Sequence, residues 1–257
     1  MSKPVQISPD GTRRAVTRAW VPEAPVALEF NGLSYAVMMA TPADLADFAT
    51  GFALSEGLAA QAADVSDIAI AQVPQGWIVR AQLRGLGVDQ LTARVRARVA
   101  ESSCGLCGIE NLAEVARPLP PVAAHAATTP AAVFAALAAL RPLQSLNAAT
   151  GAAHAAAWAA PDGRVTLLRE DVGRHNAMDK LIGAAAMARH ALTPGFVLST
   201  ARCSFEIVEK AVRGGATTLV CVSLPTSLAV ERAGAAGLSL WALARDDSVL
   251  LVNDASA

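Results

Sequence analysis

Two cysteines, Cys104 and Cys107, stand three positions apart in Glu101–Glu110 (ESSCGLCGIE), each followed by a glycine. A C-x-x-C pair supports three chemistries: a metal clamp, a disulfide switch or a nucleophilic thiol. A structural zinc site needs four ligands. The remaining cysteines, Cys203 and Cys221, are single residues in separate segments, and no histidine pair has ligand spacing, so no metal site is expected. A redox pair normally opens a helix after a strand, whereas this one follows a helical pattern. Glu101 and Glu110 disfavour a thiolate unless a positive partner comes from elsewhere in the fold.

The second concentration of chemistry is EDVGRHNAMDK, residues 170–180. Gly173 suits a tight turn between strand and helix. Arg174, His175 and Asn176 then fall in the first helical turn, and Asp179 lies four residues after His175, where the two could pair along one face. His154, alone in GAAHAAAWAA, reads as a hydrogen-bonded core residue. His125 and His190 have no chemical neighbours in sequence.

The elements that must position these groups follow from periodicity. Alternation on both sides of Asn31-Gly32 predicts a hairpin. Thr41, Pro42 and Asp44 predict a helix start with Thr41 as N-cap. A second hairpin turns at Pro74-Gln75-Gly76, and VDQLTARVRARVA is an amphipathic helix leading into the cysteine loop. Residues 117–130, rich in proline and without period, mark a boundary. Beyond them, RVTLLRE, GFVLST, ATTLVCVS, LSLWALA and SVLLVN alternate with helical stretches, which predicts a largely parallel sheet covered by helices. Ligands of such sheets bind beyond the carboxyl ends of the strands. Three junctions qualify, LLREDVGRHN, LSTARCSFE and VSLPTSLA, so Gly173, Arg174, His175, Arg202 and Thr226 are candidate contacts for an anionic ligand at helix starts.

The chain has 257 residues, 53% hydrophobic and 17% charged, with a net charge of -1. That supports a packed globular protein and gives no overall basic field for nucleic acid. The N-terminal sequence lacks the apolar stretch of a signal peptide. The apolar run AAVFAALAAL (131–140) is too short to span a bilayer. A cytoplasmic protein without membrane association is expected. Its divisions are an N-terminal arm (1–20), an α+β subdomain carrying the cysteine loop (21–125) and an α/β domain (126–257).

SSCGLCG (102–108), TGAAHAAAW (150–158), EDVGRHNAMDKLIG (170–183), RCSFEIVEKA (202–211), PTSLAV (225–230) and TPADLADFATGFALSEG (41–57) together resemble the formate dehydrogenase accessory protein (FdhD/NarQ) family. The resemblance runs from about Val26 nearly to the end, and the 170–183 block is its most specific part. It implies a cytidine-deaminase-like fold for the second half, a mixed sheet with flanking helices. It also implies a sulfurtransferase. Sulfur would pass from a cysteine desulfurase to a cysteine persulfide and then to bis-molybdopterin guanine dinucleotide, before that cofactor enters formate dehydrogenase. On this reading Cys104 carries the persulfide and Cys107 assists or alternates, by the chemistry of thiol–disulfide exchange. The deaminase zinc motif, H-x-E followed by P-C-x-x-C, is absent.

The resemblance assigns Leu243, Ala244, Arg245, Asp246, Asp247 and Ser248 to the cofactor, with GDP as a mimic of its nucleotide ends. Asp246 and Asp247 depart from the basic, glycine-containing segment usual in the family, and STARC replaces a small-Gly-Arg run while keeping Arg202. A second reading makes the protein a chaperone that holds the cofactor without sulfur chemistry. The apolar hairpin at 26–40 and the helix before the cysteine loop predict a homodimer with the loops beside a shared cleft.

Overall fold

The computed structural model describes residues 4–87, 89–92 and 118–256. Cys104 and Cys107, and most of the helix expected before them, lie outside the described residues.

Strands β1 (Val5–Ile7) and β2 (Arg13–Ala15) form an exposed antiparallel ribbon. β3 (Ala24–Phe30) and β4 (Leu33–Ala40) are joined by Asn31 and Gly32, both at positive φ, as a two-residue hairpin twisted with its strands requires. β5 (Val65–Val73) and β6 (Gly76–Leu83) complete a four-stranded sheet in the order β4-β3-β6-β5, in which β3 and β6 run parallel. Helix α1 (Leu45–Ser55) covers one face. Phe30, Tyr35, Phe48 and Phe52 meet beneath it, with Tyr35 edge-on to Phe52 at 5.9 Å.

Thr41 does not cap α1. Asp44 precedes the helix in a left-handed conformation with no side-chain cap, because the polar groups of Thr41 are committed elsewhere. Its N–H donates to Asp171 Oδ2 at 3.0 Å, its hydroxyl accepts from the Val172 N–H, and its carbonyl accepts from Lys180 Nζ.

The second sheet has the order β12-β11-β10-β9-β7-β8. Its strands are β7 (His154–Ala159), β8 (Val165–Asp171), β9 (Phe196–Ser199), β10 (Thr218–Cys221), β11 (Ser239–Ala242) and β12 (Leu250–Asn253). It is mixed rather than largely parallel: β9, β10 and β11 are parallel, while β7 and β12 run antiparallel to their neighbours. α2 (Pro130–Leu143), capped by the Thr129 hydroxyl, packs on the face carrying Phe196, Leu198, Val220 and Trp241. The alternate residues Val197, Leu219, Cys221 and Leu240 face α4 (Arg174–Met187), α5 (Phe205–Arg213) and α6 (Ser227–Ala236). Period-two alternation thus gives one sheet two cores. Cys203 and Cys221 are free thiols buried in the second of them, as their apolar contexts predict. The short α3 (Ser145–Thr150) follows α2. The segment expected as a boundary is coil pinned to this half, with Val122 N–H donating to the Ala236 carbonyl and His125 bonded to Ser239.

The two sheets are locked together through α1 and α4. A Cβ on Gly51 would fall 1.7 Å from the Asp179 carbonyl oxygen, and one on Gly183 would fall 1.9 Å from that of Asp47. The helices therefore cross backbone to backbone, which only glycine permits. Two buried ionic groups flank the crossing. Lys180 pairs with Asp171 at 2.6 Å, both side chains fully buried. Lys210 donates to Asp179, Ser55 and Glu56 at 2.9–3.0 Å. Burial pushes the Lys210 ammonium down, but Asp179 and Glu56 outweigh it and hold its pKa above the usual lysine value. Among the described residues no helix is long and apolar enough to cross a membrane.

Candidate functional site

Because β7 runs antiparallel to β8 and β9, it starts where they end. The carboxyl edge of the second sheet therefore gathers the start of β7 with the ends of β8, β9, β10 and β11. Candidate residues collect on both faces of this edge.

On the face of α4 and α5 lie His154, Arg174, His175, Arg202 and Glu206. His154 shares the side of β7 that carries Ala156 and Trp158, and sits opposite Asp171 in the ladder. Partial burial lowers its pKa first, and the positive charges of Arg174, His175 and Arg202 lower it further against the opposing pull of Asp171. The ring is neutral at pH 7 within a positive cluster, so His154 is not the core residue its alanine-rich context suggests. His175 Nε2 lies 3.3 Å from Glu206 Oε2, an ion-pair distance without hydrogen-bond alignment. The His175 ring brings the Glu206 carboxyl down to about 2, against its partial burial and with help from the Ser204 hydroxyl. Arg174 Nε is buried with no hydrogen-bond partner among the described residues. An orphaned guanidinium donor beside two further positive side chains suits an anionic oxygen.

The 170–180 block divides sharply by face. Arg174 and His175 stay at the edge, but its carboxylates turn inward. Glu170 accepts from the N–H groups of Leu146 and Asn147 at 2.8 Å and so holds the start of α3. Asp171 accepts from Gly173 N–H, Asn176 Nδ2, Thr41 N–H and Lys180 Nζ. Asp179 pairs with Lys210 and Ser55 rather than with His175, because it points into the α1 interface. Gly173 has ordinary negative φ. A Cβ there would meet Asn176 Nδ2 at 2.8 Å, so close approach rather than a turn requires glycine. Its N–H is spent on Asp171, and Thr226 is engaged as the cap of α6, accepting from Ala229 N–H.

On the other face, α2, α3 and the strand ends enclose a cleft of about 770 Å³. Ala244, Arg245, Asp246 and Asp247 line it from the loop after β11, and Arg141, Gln144 and Asn147 face them from the helices. Leu243, at positive φ, and Ser248, whose carbonyl accepts from Arg245 N–H, flank that loop without lining the cleft. Thr200 lines the cleft, and Arg202, two residues later, belongs to the opposite group, so a ligand at the edge can reach both. Sequence reasoning missed Arg141, Gln144 and Asn147, which carry no motif, and His154, whose signal was only its place at the start of a strand. Among the described residues no three His, Cys, Asp or Glu side chains are grouped to hold a metal ion.

The sequence model of the FdhD/NarQ family matches residues 21–256. A protein of Variovorax paradoxus named sulfur carrier protein FdhD is 45% identical over 235 residues, covering 91% of this chain and 84% of the relative. One of the same name from Cupriavidus necator is 47% identical over 223 residues, covering 87% and 77%. The crystal structure of a formate dehydrogenase accessory protein from Desulfotalea psychrophila superimposes with a TM-score of 0.77 over 98% of this chain and 96% of that one, at 24% identity, and so shares its fold. The chain belongs to the FdhD/NarQ family.

Proposed function

We propose that this protein is a sulfurtransferase of the cytoplasm that serves the maturation of formate dehydrogenase. The observation that carries the reading is a family match that spans Cys104-Gly-Leu-Cys107 and the basic strand edge together, with relatives named as sulfur carriers. In the loading step the Cys104 thiolate attacks the sulfane sulfur of a cysteine desulfurase persulfide. A new S–S bond forms on Cys104, the donor's S–S bond breaks and its thiolate leaves, with no net redox change. Cys107 assists or alternates with Cys104. The substrate is the molybdenum of bis-molybdopterin guanine dinucleotide, whose phosphates suit Arg174 and Arg202 on one face and Arg141 and Arg245 on the other.

A homodimer brings the 21–125 subdomain of each chain, with its cysteine loop, beside the 126–257 domain of either. The helices on both faces of the second sheet, with β7 antiparallel inside it, fit the cytidine-deaminase-like kinship. Replacing Cys104 by Ala tests the proposal: formate dehydrogenase should stay inactive although the variant folds and accumulates. Normal formate dehydrogenase activity in that strain would remove Cys104 from the mechanism. The chaperone reading draws on the cleft, which needs no cysteine. It predicts normal formate dehydrogenase maturation with both Cys104 and Cys107 replaced by Ala.

A further inference from the structure

The cleft between α2, α3 and the loop after β11 contains groups of both signs that do not neutralise one another. Arg141, Arg245 and Asp246 make no side-chain hydrogen bond or ion pair within the described residues, while Asp247 Oδ1 accepts from the Ser248 hydroxyl at 3.0 Å. Gln144 also lines the cleft. It is only 7% exposed, yet its amide has no hydrogen-bond partner among the described residues. A buried amide left unpaired is costly, so such a group in a native cleft points to a ligand that pairs with it. The volume, about 770 Å³, is that of a small-molecule site.

A ligand of phosphates alone would be opposed by the two acids. One with anionic oxygens at one end and adjacent N–H donors at the other satisfies the whole set. Guanine has those donors: N1–H and the N2 amino group lie side by side, spaced for the two oxygens of one carboxylate. Its O6 accepts from an amide such as Gln144. Adenine presents the N1 lone pair where guanine presents N1–H, and a carboxylate repels it. Hypoxanthine keeps N1–H but lacks the second donor.

We propose that Asp246 reads the Watson–Crick edge of a guanine nucleotide in this cleft, with Gln144 at O6 and Arg141 and Arg245 on the phosphate side. The assignment rests on the reading that the substrate carries guanine nucleotides. It turns the acids of the 243–248 loop from a departure into the source of base selection.

Calorimetric titration of the full-length protein with GDP, IDP, ADP and XDP tests it. Loss of one charge-assisted hydrogen bond should weaken IDP relative to GDP by about tenfold or more, and ADP by more again. In Asp246→Asn the side chain donates to xanthine O2 while accepting from N1–H, so XDP should overtake GDP. That gain of binding also shows that the variant folds. Asp247→Asn should keep the wild-type order, and Gln144→Ala should weaken GDP and IDP alike. Equal binding of GDP and ADP by the wild type, or a preference for GDP retained in Asp246→Asn, would overturn the assignment. Persulfide loading of the 101–110 peptide, measured on the same samples, separates this from the sulfur-carrier reading. Base switching without loading would sink the carrier alone, and loading without base discrimination would sink only the guanine site.

Discussion

Gly183→Ala tests how the fold is held together. The new Cβ would lie 1.9 Å from the Asp47 carbonyl oxygen and 2.7 Å from Gly51 N, whereas ordinary contact begins near 3.4 Å. Those neighbours are backbone atoms and cannot rotate away, so α1 and α4 must separate by about 1.5 Å, the difference between the first and last of these distances. Ser55 Oγ to Asp179 Oδ1, 2.6 Å in the wild type, and Lys210 Nζ to Asp179, 2.9 Å, would then stretch beyond hydrogen-bond length. Overpacking costs ~1–3 kcal/mol, and each lost hydrogen bond adds ~1 kcal/mol. A destabilisation of about 3–4 kcal/mol follows, or roughly 10 °C in Tm for a chain of this size. Urea denaturation followed by tryptophan fluorescence and circular dichroism measures it. Gly234→Ala is the control: it lies inside α6 with nothing within 4 Å of a new Cβ, and should gain about 0.4–1 kcal/mol. A Gly183→Ala protein within ~0.5 kcal/mol of wild type, the range of neutral surface changes, would refute the close crossing of α1 and α4.

Lys180→Met strands the fully buried Asp171 carboxylate and should cost about 3–5 kcal/mol by urea denaturation, whereas Lys180→Met with Asp171→Asn should recover much of it; an unstable double variant would show that the charges themselves are needed. Because the folded protein disfavours a charged His154, stability should decline as pH falls below its ordinary 6.5. A pyrophosphate ion held among Arg174, His175 and Arg202 should reverse that bias, so binding should take up a proton and tighten as pH falls. Calorimetry in buffers of different ionisation heat should show less proton uptake in His154→Asn, and identical uptake would exclude the ring. Glu206 should titrate near 2 by carboxylate NMR, so its contribution to stability is complete above its ordinary 4.5 and lost as pH falls through about 2. His175→Ala should move that titration back towards 4.5, and an unmoved curve would discount the contact.

Local signals carried much of this fold. The Asn31-Gly32 turn, the Thr129-Pro130 helix start and the alternation of β9, β10 and β11 were readable because each depends on neighbours in sequence. The location of a polar ligand edge also followed from that order. What stayed hidden depends on distant partners. Thr41 reads as a cap until Asp171 and Lys180 claim its backbone and Val172 its hydroxyl. Glu170, Asp171 and Asp179 crowd beside Arg174 and His175 in sequence, yet helical rotation and the approach of α1 turn them into the interior. Gly51 and Gly183 look like helix weaknesses in sequence, and only the crossing explains them. β7 is nearly all alanine, so nothing in its composition announces an antiparallel strand or places His154 at the edge.

The central claim is sulfur carriage by the cysteine pair, and mass spectrometry of the 101–110 peptide after incubation with a cysteine desulfurase and cysteine tests it most directly. One added sulfur, removed by reductant and absent in Cys104→Ala, is the predicted result. A peptide that gains no sulfur at either Cys104 or Cys107, from a folded protein that still binds GDP, would contradict it.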